Sequence, residues 1–361
     1  MKNIVYIGKY NGIVGGIERY MQKSASLLRR SDYRVHYLYT ENGGRDQAQF
    51  AGAFDTAAEF SLSNRLLASA DLVMIHNIIS PELLKGLPQG RTFFFAHDHN
   101  IYCRRHHYYT PLGRKNCHRA YHALRCFFCS LGRNNAPPLA EYRKLPAIVL
   151  SDFMRDNLLK NGFEKVIKLP AFIQTEYGER SFMPEGVLRI LFLGQLIRGK
   201  GADLMIRSLA KLSVPFECTV AGDGNDRAML EKMLAEYKLQ DKVRFCGFVS
   251  KPEELWKNCD VFCFPIRWQE PFGLVGLEAM AHGVPVVAFD RGGVREYLED
   301  NRNGLAVPEH GDLENALAFL AENPGNVLEK MSKYGRKMAE EKFSEGCFLE
   351  KFAALLPEVL Q

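Results

Sequence analysis

The sequence predicts an α/β protein of two domains, each built on a parallel sheet flanked by helices. At 361 residues the chain matches two domains of roughly 100–200 residues each. Short runs rich in β-branched and aromatic residues alternate with longer amphipathic stretches from end to end, which is typical of βα units. Residues 170–186 carry Pro, Gly and charges without a clear period and suit an interdomain linker. Two domains are expected to leave a cleft between them.

Short runs on both sides of the linker are predicted to be β-strands. Beyond residue 312 the pattern is helical to the end, and the last stretch is amphipathic. We assign residues 1–172 to the first domain, 173–340 to the second, and 341–361 to a C-terminal helix able to pack back on the first domain. The predicted strands are Ile4–Ile7, Val35–Tyr39, Leu72–Ile75, Thr92–Phe95, Ala147–Leu150 and Val166–Leu169, then Leu188–Leu193, Glu217–Ala221, Val243–Phe245, Val261–Phe264, Val284–Ala288 and Leu305–Val307.

Composition narrows the class of protein. Hydrophobic residues at 47% and charged residues at 25% are ordinary for a globular enzyme. The net charge of +5 fits an anionic ligand or membrane surface without requiring nucleic acid. No uncharged apolar run approaches the roughly 20 residues of a membrane span, and the N-terminus lacks the apolar stretch of a secretory signal. The nine cysteines are therefore expected to be mostly thiols in the cytoplasm.

The segment EPFGLVGLEAMAHG, Glu270–Gly283, is predicted to deliver a helix N-terminus to the end of a strand. Gly273 stands where the helix begins, and Gly283 suits its C-cap. Free N–H groups and the helix dipole at such an end favour an anion such as a diphosphate. In the plainer interpretation, Glu270 caps the helix and Glu278 is a solvated residue on its surface.

This string resembles the E-x7-E signature of the retaining glycosyltransferases of family four, which have the GT-B fold of two Rossmann-like domains facing across a cleft. The resemblance extends over nearly the whole chain, and its best-matched part is Leu188–Pro308. It implies a C-terminal domain that binds a nucleotide-sugar and an N-terminal domain that binds the acceptor. The motifs GQLIRGKGADLMI, VAGDGNDRAML, FCGFV, EPFGLVGLEAMAHGVPVVAFDRGG and NGLAVP follow one another in the family's order.

The resemblance implies roles for individual donor-site residues. Glu270 is expected to contact the donor sugar and Glu278 the ribose. Gly222 and the turn at Phe248 and Val249 are expected near the nucleotide and base, although Gly222–Gly224 also suits a plain strand-to-helix turn. The backbone expected to contact the sugar and diphosphate belongs to Phe272, Gly273 and Leu274.

The segment LGQLIRGKG ends a strand and opens a helix, so Lys200 is well placed to neutralise a departing diphosphate. A surface lysine is the default interpretation of any single lysine. Relatives more commonly carry Arg at the position of Gln195. Arg198 is a candidate to supply that guanidinium, and which of the two side chains faces the phosphates stays open.

Two features of the first half are expected near the donor. Gly15 and Gly16 open a helix after the first strand, and the resemblance places Gly16 beside the donor phosphates, although spacing alone suits a ligand-free tight turn equally well. His97 directly follows the strand Thr92–Phe95 and matches a histidine that touches the donor sugar in relatives. A structural hydrogen-bonding role is the alternative. Asp98 is a candidate to hold its ring.

Residues 99–140 contain no Asp or Glu but seven Arg and Lys residues. Two compatible hypotheses explain this stretch. A basic aromatic surface, against the alternative of a solvated basic loop, would attract phosphate or anionic lipid of a lipid-linked acceptor. Structural zinc is the second hypothesis, against the alternative of buried thiols. The surface residues are Arg104, Arg105, Tyr108, Tyr109, Arg114 and Lys115, and the candidate ligands are Cys103, Cys117, Cys126 and Cys129.

No D-x-D triplet occurs, so the sequence gives no indication of a metal-dependent diphosphate clamp. The prediction is a retaining hexosyltransferase that needs no cofactor for catalysis. It would move a sugar from a UDP- or GDP-sugar to a glycan or lipid-linked saccharide in bacterial cell-surface polysaccharide synthesis, peripherally at the inner face of the membrane. The alternatives are a sugar-nucleotide 2-epimerase of the same architecture and a non-catalytic subunit that binds nucleotide-sugars.

Overall fold

The computed structural model describes residues 1–110, 115–131, 136–174, 180, 182–183, 186–249, 251–309 and 311–359. The chain forms two compact units, Met1–Ala171 together with Glu345–Gln361, and Phe172–Ser344. The change of unit at Ala171 lies one residue before the predicted boundary. Arg114, part of the predicted basic surface, lies outside the described residues.

The first unit is a seven-stranded parallel sheet with helices, in the strand order β3-β2-β1-β4-β5-β6-β7. Strands β4 and β5 are buried along their whole length, because side chains on both faces of a helix-covered sheet leave water. The strands are β1 (Lys2–Tyr10), β2 (Tyr33–Glu41), β3 (Thr56–Glu59), β4 (Leu72–Ile75), β5 (Thr92–Phe95), β6 (Ala147–Val149) and β7 (Val166–Lys168).

The helices of the first unit include a returning C-terminal one, α14 (Glu345–Val359). It contacts the start of the unit through an ion pair of 2.8 Å between Arg30 and Glu345 and an edge contact of 5.6 Å between the rings of Tyr33 and Phe352. The others are α1 (Gly16–Arg30), α2 (Gln47–Ala51), α3 (Arg65–Ser69), α4 (Pro81–Lys85), α5 (Ala123–Cys129), α6 (Leu139–Tyr142) and α7 (Asp152–Lys160).

The second unit is a six-stranded parallel sheet in the order β10-β9-β8-β11-β12-β13. Its strands are β8 (Leu188–Leu193), β9 (Phe216–Ala221), β10 (Val243–Gly247), β11 (Val261–Phe264), β12 (Val286–Phe289) and β13 (Gly304–Val307). Its helices are α8 (Ala202–Leu209), α9 (Arg227–Tyr237), α10 (Glu253–Lys257), α11 (Leu274–Ala281), α12 (Leu313–Glu322) and α13 (Glu329–Phe343).

The predicted α/β class is confirmed, and every predicted run overlaps a parallel strand. One strand was missed. Thr56–Glu59 lies at the edge of the first sheet, where three of its four residues are exposed, so no apolar run or alternation marks it. Among the described residues, no helix combines the length and apolar character that a membrane crossing demands.

Candidate functional site

Glycines lie where the carboxyl ends of neighbouring strands meet in the second unit. The N–H of Gly222, after β9, donates to the carbonyl of Gly247 over 2.7 Å. A Cβ atom on Gly222 would lie 1.9 Å from the carbonyl oxygen of Gly194, and one on Gly201 would lie 1.9 Å from that of Pro265. Any larger residue would separate these backbones. The loops that follow β8, β9, β10 and β11 are therefore held together at one edge of the sheet, which is where open parallel sheets bind ligands.

Helix α11 begins at this edge, directly after the loop that follows β11. Its N-cap residue, Gly273, has a φ of 85° in the left-handed region, and no side chain caps the helix. Phe272, the residue before this glycine, is buried and its ring packs against that of Tyr297 at 5.5 Å. Gly283, with a φ of 68°, follows the helix end as predicted. The first turn of α11 thus presents backbone N–H groups that no side chain caps, the arrangement that suits an anion.

A second glycine pair holds the backbone of Glu270. The N–H of Gly293 donates to the carbonyl of Glu270 over 2.7 Å. A Cβ atom on Gly292, which has a φ of 60°, would lie 2.3 Å from the same carbonyl oxygen. The close approach of the turn after β12 therefore sets the position from which the Glu270 side chain projects.

The structure brings two predicted site residues into direct contact. The ammonium group of Lys200 lies 3.0 Å from Oε2 of Glu270, and both side chains are largely buried, with exposed fractions of 21% and 15%. The indole Nε1 of Trp268 donates to the same oxygen over 3.3 Å. Glu270, predicted to contact the sugar, and Lys200, predicted to contact the diphosphate, therefore belong to one hydrogen-bonded cluster with Trp268.

Aromatic rings complete the surroundings of Lys200. Its ammonium group lies 5.5 Å from the Trp268 ring centre and 5.7 Å from that of Phe264, within cation–π range. The indole packs directly on Gly199, where a Cβ atom would lie 2.0 Å from a ring carbon. A residue with a side chain at position 199 would displace Trp268 and, with it, one hydrogen bond to Glu270.

The remaining predicted donor residues occupy more open positions. The side chains of Gln195 and Arg198 are both exposed, so burial does not choose between them as the phosphate partner. Glu278 lies in the second turn of α11 and is half-buried. Leu274, the first residue of α11, and Val249, after β10, are half-buried as well.

In the first unit, His97 follows β5 and forms a hydrogen bond with His76, which follows β4. Nδ1 of His76 lies 2.8 Å from Nε2 of His97, and the two rings stack at 5.1 Å. Asp98, the candidate to hold the ring, instead accepts hydrogen bonds from the backbone and side-chain amides of Asn100. The observed partner of His97 is therefore His76.

Protonation states follow from burial. Burial lowers the pKa of His97 to about 3, and burial together with the neighbouring His97 lowers the pKa of His76 well below its usual range. Both rings are neutral at neutral pH. Nε2 of His76 has no hydrogen-bond partner among the described residues. A buried nitrogen without a partner costs less as a lone pair than as an N–H group, so we assign the proton of His76 to Nδ1, which donates to Nε2 of His97. Because Nε2 of His97 accepts this bond, the proton of the His97 ring lies on its Nδ1.

We expect this histidine pair to make stability depend on pH. Because the folded pKa of His97 is about 3, below the unfolded value of 6.5, its contribution is present above pH 6.5 and is lost as pH falls towards 3. The free energy of unfolding should fall by at most about 1.4 kcal/mol per pH unit from this group. Urea unfolding of the wild type and His97→Asn across this range measures the difference. Equal slopes would contradict the assignment.

Asp98 changes the pH dependence of stability in the opposite direction to His97. The pH profile of the wild-type free energy of unfolding therefore does not by itself give the contribution of His97. Burial raises the pKa of Asp98 to about 6. A carboxyl group whose pKa is raised on folding contributes most below its unfolded value of 3.8, and this contribution is lost as pH rises through about 6. Subtracting the variant's profile cancels this opposing slope.

Gly16 is the first residue of α1, after the N-cap Gly15, whose N–H donates to the Glu18 carboxylate over 2.8 Å. Gly16 is exposed, and a Cβ atom there would meet nothing within 4 Å.

We therefore expect Gly16→Ala to leave the free energy of unfolding within about 0.5 kcal/mol of wild type. If Gly16 borders the donor phosphates, KM for the donor should nevertheless rise at least about tenfold, because the methyl group occupies the approach to the backbone. Thermal unfolding and donor titration separate the two effects. An unchanged KM would leave Gly16 as a structural turn residue.

The four cysteines of residues 99–140 are neighbours. Burial raises the pKa of Cys103, and the thiols of Cys117 and Cys129 raise it further. The sulfur of Cys126 accepts the N–H of His122 over 3.4 Å. Within the part of the chain that the structure describes, however, no three His, Cys, Asp or Glu side chains are grouped so that they could hold a metal ion. Structural zinc stays a prediction.

Three kinds of contact were missed from sequence. The packing of Trp268 on Gly199 was one of them, because the sequence shows only an aromatic residue two positions before Glu270. The glycine pair at 292–293 appears in the sequence as D-R-G-G after a buried run, but nothing in the sequence indicates that it contacts the carbonyl of Glu270. His76 carried the same signal as His97, a histidine directly after a buried strand.

Known proteins resemble both the second unit and the whole fold. Residues 174–338 match the family model for glycosyl transferases group 1. An uncharacterized glycosyltransferase of Methanocaldococcus jannaschii, MJ1607, is 38% identical over 34% of this chain and 33% of its own length. A D-inositol 3-phosphate glycosyltransferase of Pseudarthrobacter chlorophenolicus is 32% identical over 47% of this chain and 42% of its own. The chain thus spans less than half the length of these curated relatives.

A solved structure shares the architecture over almost the full length. Anabaena Alr3699/HepE, crystallised in complex with UDP, has a TM-score of 0.77 at 17% identity, over 99% of this chain and 100% of the other. At this identity the likeness shows the fold alone. The chain therefore has the GT-B fold of two Rossmann-like units, and residues 174–338 of its second unit match the group 1 glycosyl transferases.

Proposed function

We propose that this protein is a retaining glycosyltransferase of family four, which moves a hexose from a UDP- or GDP-sugar to a glycan or lipid-linked saccharide. The observation that carries the proposal is the Lys200–Glu270 contact of 3.0 Å beside the N-terminus of α11, which no side chain caps. A cation, a carboxylate and free backbone N–H groups at one sheet edge match the charges of a diphosphate-linked sugar. The group 1 model and the relatives named glycosyltransferases support the same class.

In the proposed reaction, the α11 N-terminus and Lys200 stabilise the charge that develops on the departing diphosphate. A lysine ammonium group has three donors, so Lys200 can keep its bond to Glu270 and still donate to a phosphate oxygen. Glu270 orients the sugar and stabilises positive character at its anomeric carbon. The bond between that carbon and the phosphate oxygen breaks, and the acceptor oxygen bonds to the carbon on the face from which the nucleotide leaves. The proton of the acceptor hydroxyl passes to an oxygen of the departing diphosphate.

Glu278 is proposed to bind the ribose hydroxyls, and Gly222 and Val249 to border the nucleotide. His97 is proposed to donate from Nδ1 to the sugar. It is neutral near pH 7, since burial lowers its pKa to about 3, so this contact would not depend on pH in the physiological range.

The test is a thermal-shift screen of the purified protein against UDP-, GDP- and ADP-sugars, followed by a donor-turnover assay. We expect one nucleotide to raise the unfolding temperature and its sugar conjugate to release free sugar slowly without an acceptor. An isomerised donor would instead identify a 2-epimerase, and binding without turnover a non-catalytic subunit. Absence of any nucleotide shift would overturn the proposal. Anomeric configuration in the product, read by NMR, decides retention.

We further propose that Cys103, Cys117, Cys126 and Cys129 bind a structural zinc ion. The thiols of Cys117 and Cys129 act on Cys103, and those of Cys117 and Cys126 act on Cys129, which supports the proposal. The described side chains do not form a ligand set, so zinc binding would require them to move. Elemental analysis should give one zinc per chain, and Cys126→Ser should lower both zinc content and thermal stability. A metal-free protein of unchanged stability after chelation would contradict the site.

A further inference from the structure

Helix α5 and the residue after its cap expose large apolar side chains. Leu124 is 66% exposed, Phe127 44%, Phe128 71% and Leu131 64%. No residue of α5 is buried. Scattered exposed apolar residues are normal on a soluble protein, but four within eight consecutive positions form a patch, and such patches mark binding surfaces.

Exposed cations flank this apolar patch in the sequence, where no carboxylate lies near it. Lys115, Arg119 and Arg125 are exposed, and residues 99–140 include no Asp or Glu. None of these three cations forms an ion pair with a described carboxylate. The guanidinium of Arg104 lies 5.6 Å from the Phe127 ring centre, so charge and apolar surface are in direct contact. The patch is therefore both apolar and positively charged.

Residues 115–131, which carry this patch, are bonded to the end of α7 in the first unit, where the ammonium group of Lys160 donates to the carbonyl of His118. The backbone N–H of Tyr121 donates to the side chain of Asn161 over 2.7 Å, just after α7. The Tyr108 hydroxyl donates to the carbonyl of Arg119 over 2.7 Å. Within α5 itself, the hydroxyl of the buried C-cap residue Ser130 donates to the carbonyl of Phe127 over 2.9 Å. The bonds to Lys160 and Asn161 fix the stretch just before α5, whose large apolar side chains are exposed to solvent.

We propose that Leu124, Phe127, Phe128 and Leu131, with the surrounding cations, form a surface that binds an anionic lipid bilayer. The aromatic and leucine side chains would enter the boundary between headgroups and acyl chains, while Lys115, Arg119 and Arg125 contact lipid phosphates. Charge complementarity selects this occupant. Lys115, Arg119 and Arg125, which pair with no described carboxylate, match a surface of anionic headgroups, and the exposed apolar side chains of α5 match the acyl layer beneath it.

The proposal extends the proposed function, because a lipid-linked acceptor would be presented at such a bilayer, but its test does not require transfer. Full-length protein is floated with vesicles of phosphatidylcholine, alone or in an equal mixture with phosphatidylglycerol. We expect binding to the anionic vesicles that weakens with added salt. Binding to the neutral vesicles should be at least about tenfold weaker.

The variant Phe127→Ser/Phe128→Ser should reduce binding to anionic vesicles by about tenfold or more, because two exposed aromatic anchors are lost. Phe319→Ser, which removes a phenylalanine of 41% exposure from α12, is the matched control and should bind as wild type. Both variants should retain wild-type thermal stability and donor hydrolysis without vesicles.

Unchanged flotation of the double variant, or equal loss in the control, would overturn the membrane surface. A wild-type dimer that the double variant converts to a monomer in light scattering would also overturn it, in favour of contact between two copies. Loss of nucleotide binding in the thermal-shift screen would refute the proposed function and leave the vesicle result standing.

Discussion

Glu270→Gln should lower kcat for sugar transfer by about 100-fold or more. Glutamine keeps the size of the side chain and an oxygen that can accept the Trp268 N–H, but it removes the negative charge that faces the Lys200 ammonium group at 3.0 Å. The variant would also lose the stabilisation of positive character on the donor sugar. Because that charge develops in the transition state, kcat should fall far more than donor affinity.

Steady-state transfer and donor thermal shifts measure both quantities for Glu270→Gln. Glu314→Gln is the matched control, because it breaks a Lys211–Glu314 pair of 2.7 Å in which the carboxylate has a similar exposed fraction, 16%. We expect the control to keep full activity. A Glu270→Gln enzyme that is merely less stable, with wild-type kcat at saturating donor, would make the Lys200–Glu270 contact structural and remove its catalytic assignment.

Gly201→Ala should destabilise the protein by about 3–5 kcal/mol. Gly201 has a φ of 76°, and its Cβ would lie 1.9 Å from the carbonyl oxygen of Pro265. That oxygen belongs to the backbone at the end of β11, so it cannot turn away as a side chain would. The two loops must separate, which would also move Lys200, the preceding residue, away from Glu270.

Urea unfolding measures this loss, and Gly90→Ala separates its two causes. Gly90 also has a φ of 76°, but a Cβ atom there would meet nothing within 4 Å. Its alanine variant should therefore cost only about 1–2 kcal/mol, the strain of the left-handed conformation alone. Equal losses in the two variants would show that the approach to Pro265 relaxes freely.

Much of this molecule was readable from the sequence because the signals are local. Buried runs such as Leu72–Ile75 and Val261–Phe264 became strands with the predicted bounds. The glycine that begins α11 also has a local cause, since a left-handed N-cap favours that residue. An edge strand with exposed residues, Thr56–Glu59, has no such signal and was missed.

The contacts that build the candidate site are not local. Lys200 and Glu270 are 70 positions apart, and His76 and His97 are 21 apart. Gly292 reaches the Glu270 carbonyl only because β12 lies beside β11 in the sheet. Sequence patterns therefore identified several participants but not their partners, as with Asp98, which bonds to Asn100 while His76 holds His97.

By itself, the sequence determined the α/β class, every strand except Thr56–Glu59, and the chemical types of the residues in Glu270–Gly283. Periodicity and turn residues act over a few positions, so they need no partner to be recognised. Only the tertiary structure decided that Lys200, Trp268 and Glu270 form one cluster, and that the side chains of α5 face outward beside exposed cations. Strand order and close glycine contacts bring residues together that are far apart in the sequence, so no local sequence pattern predicts them.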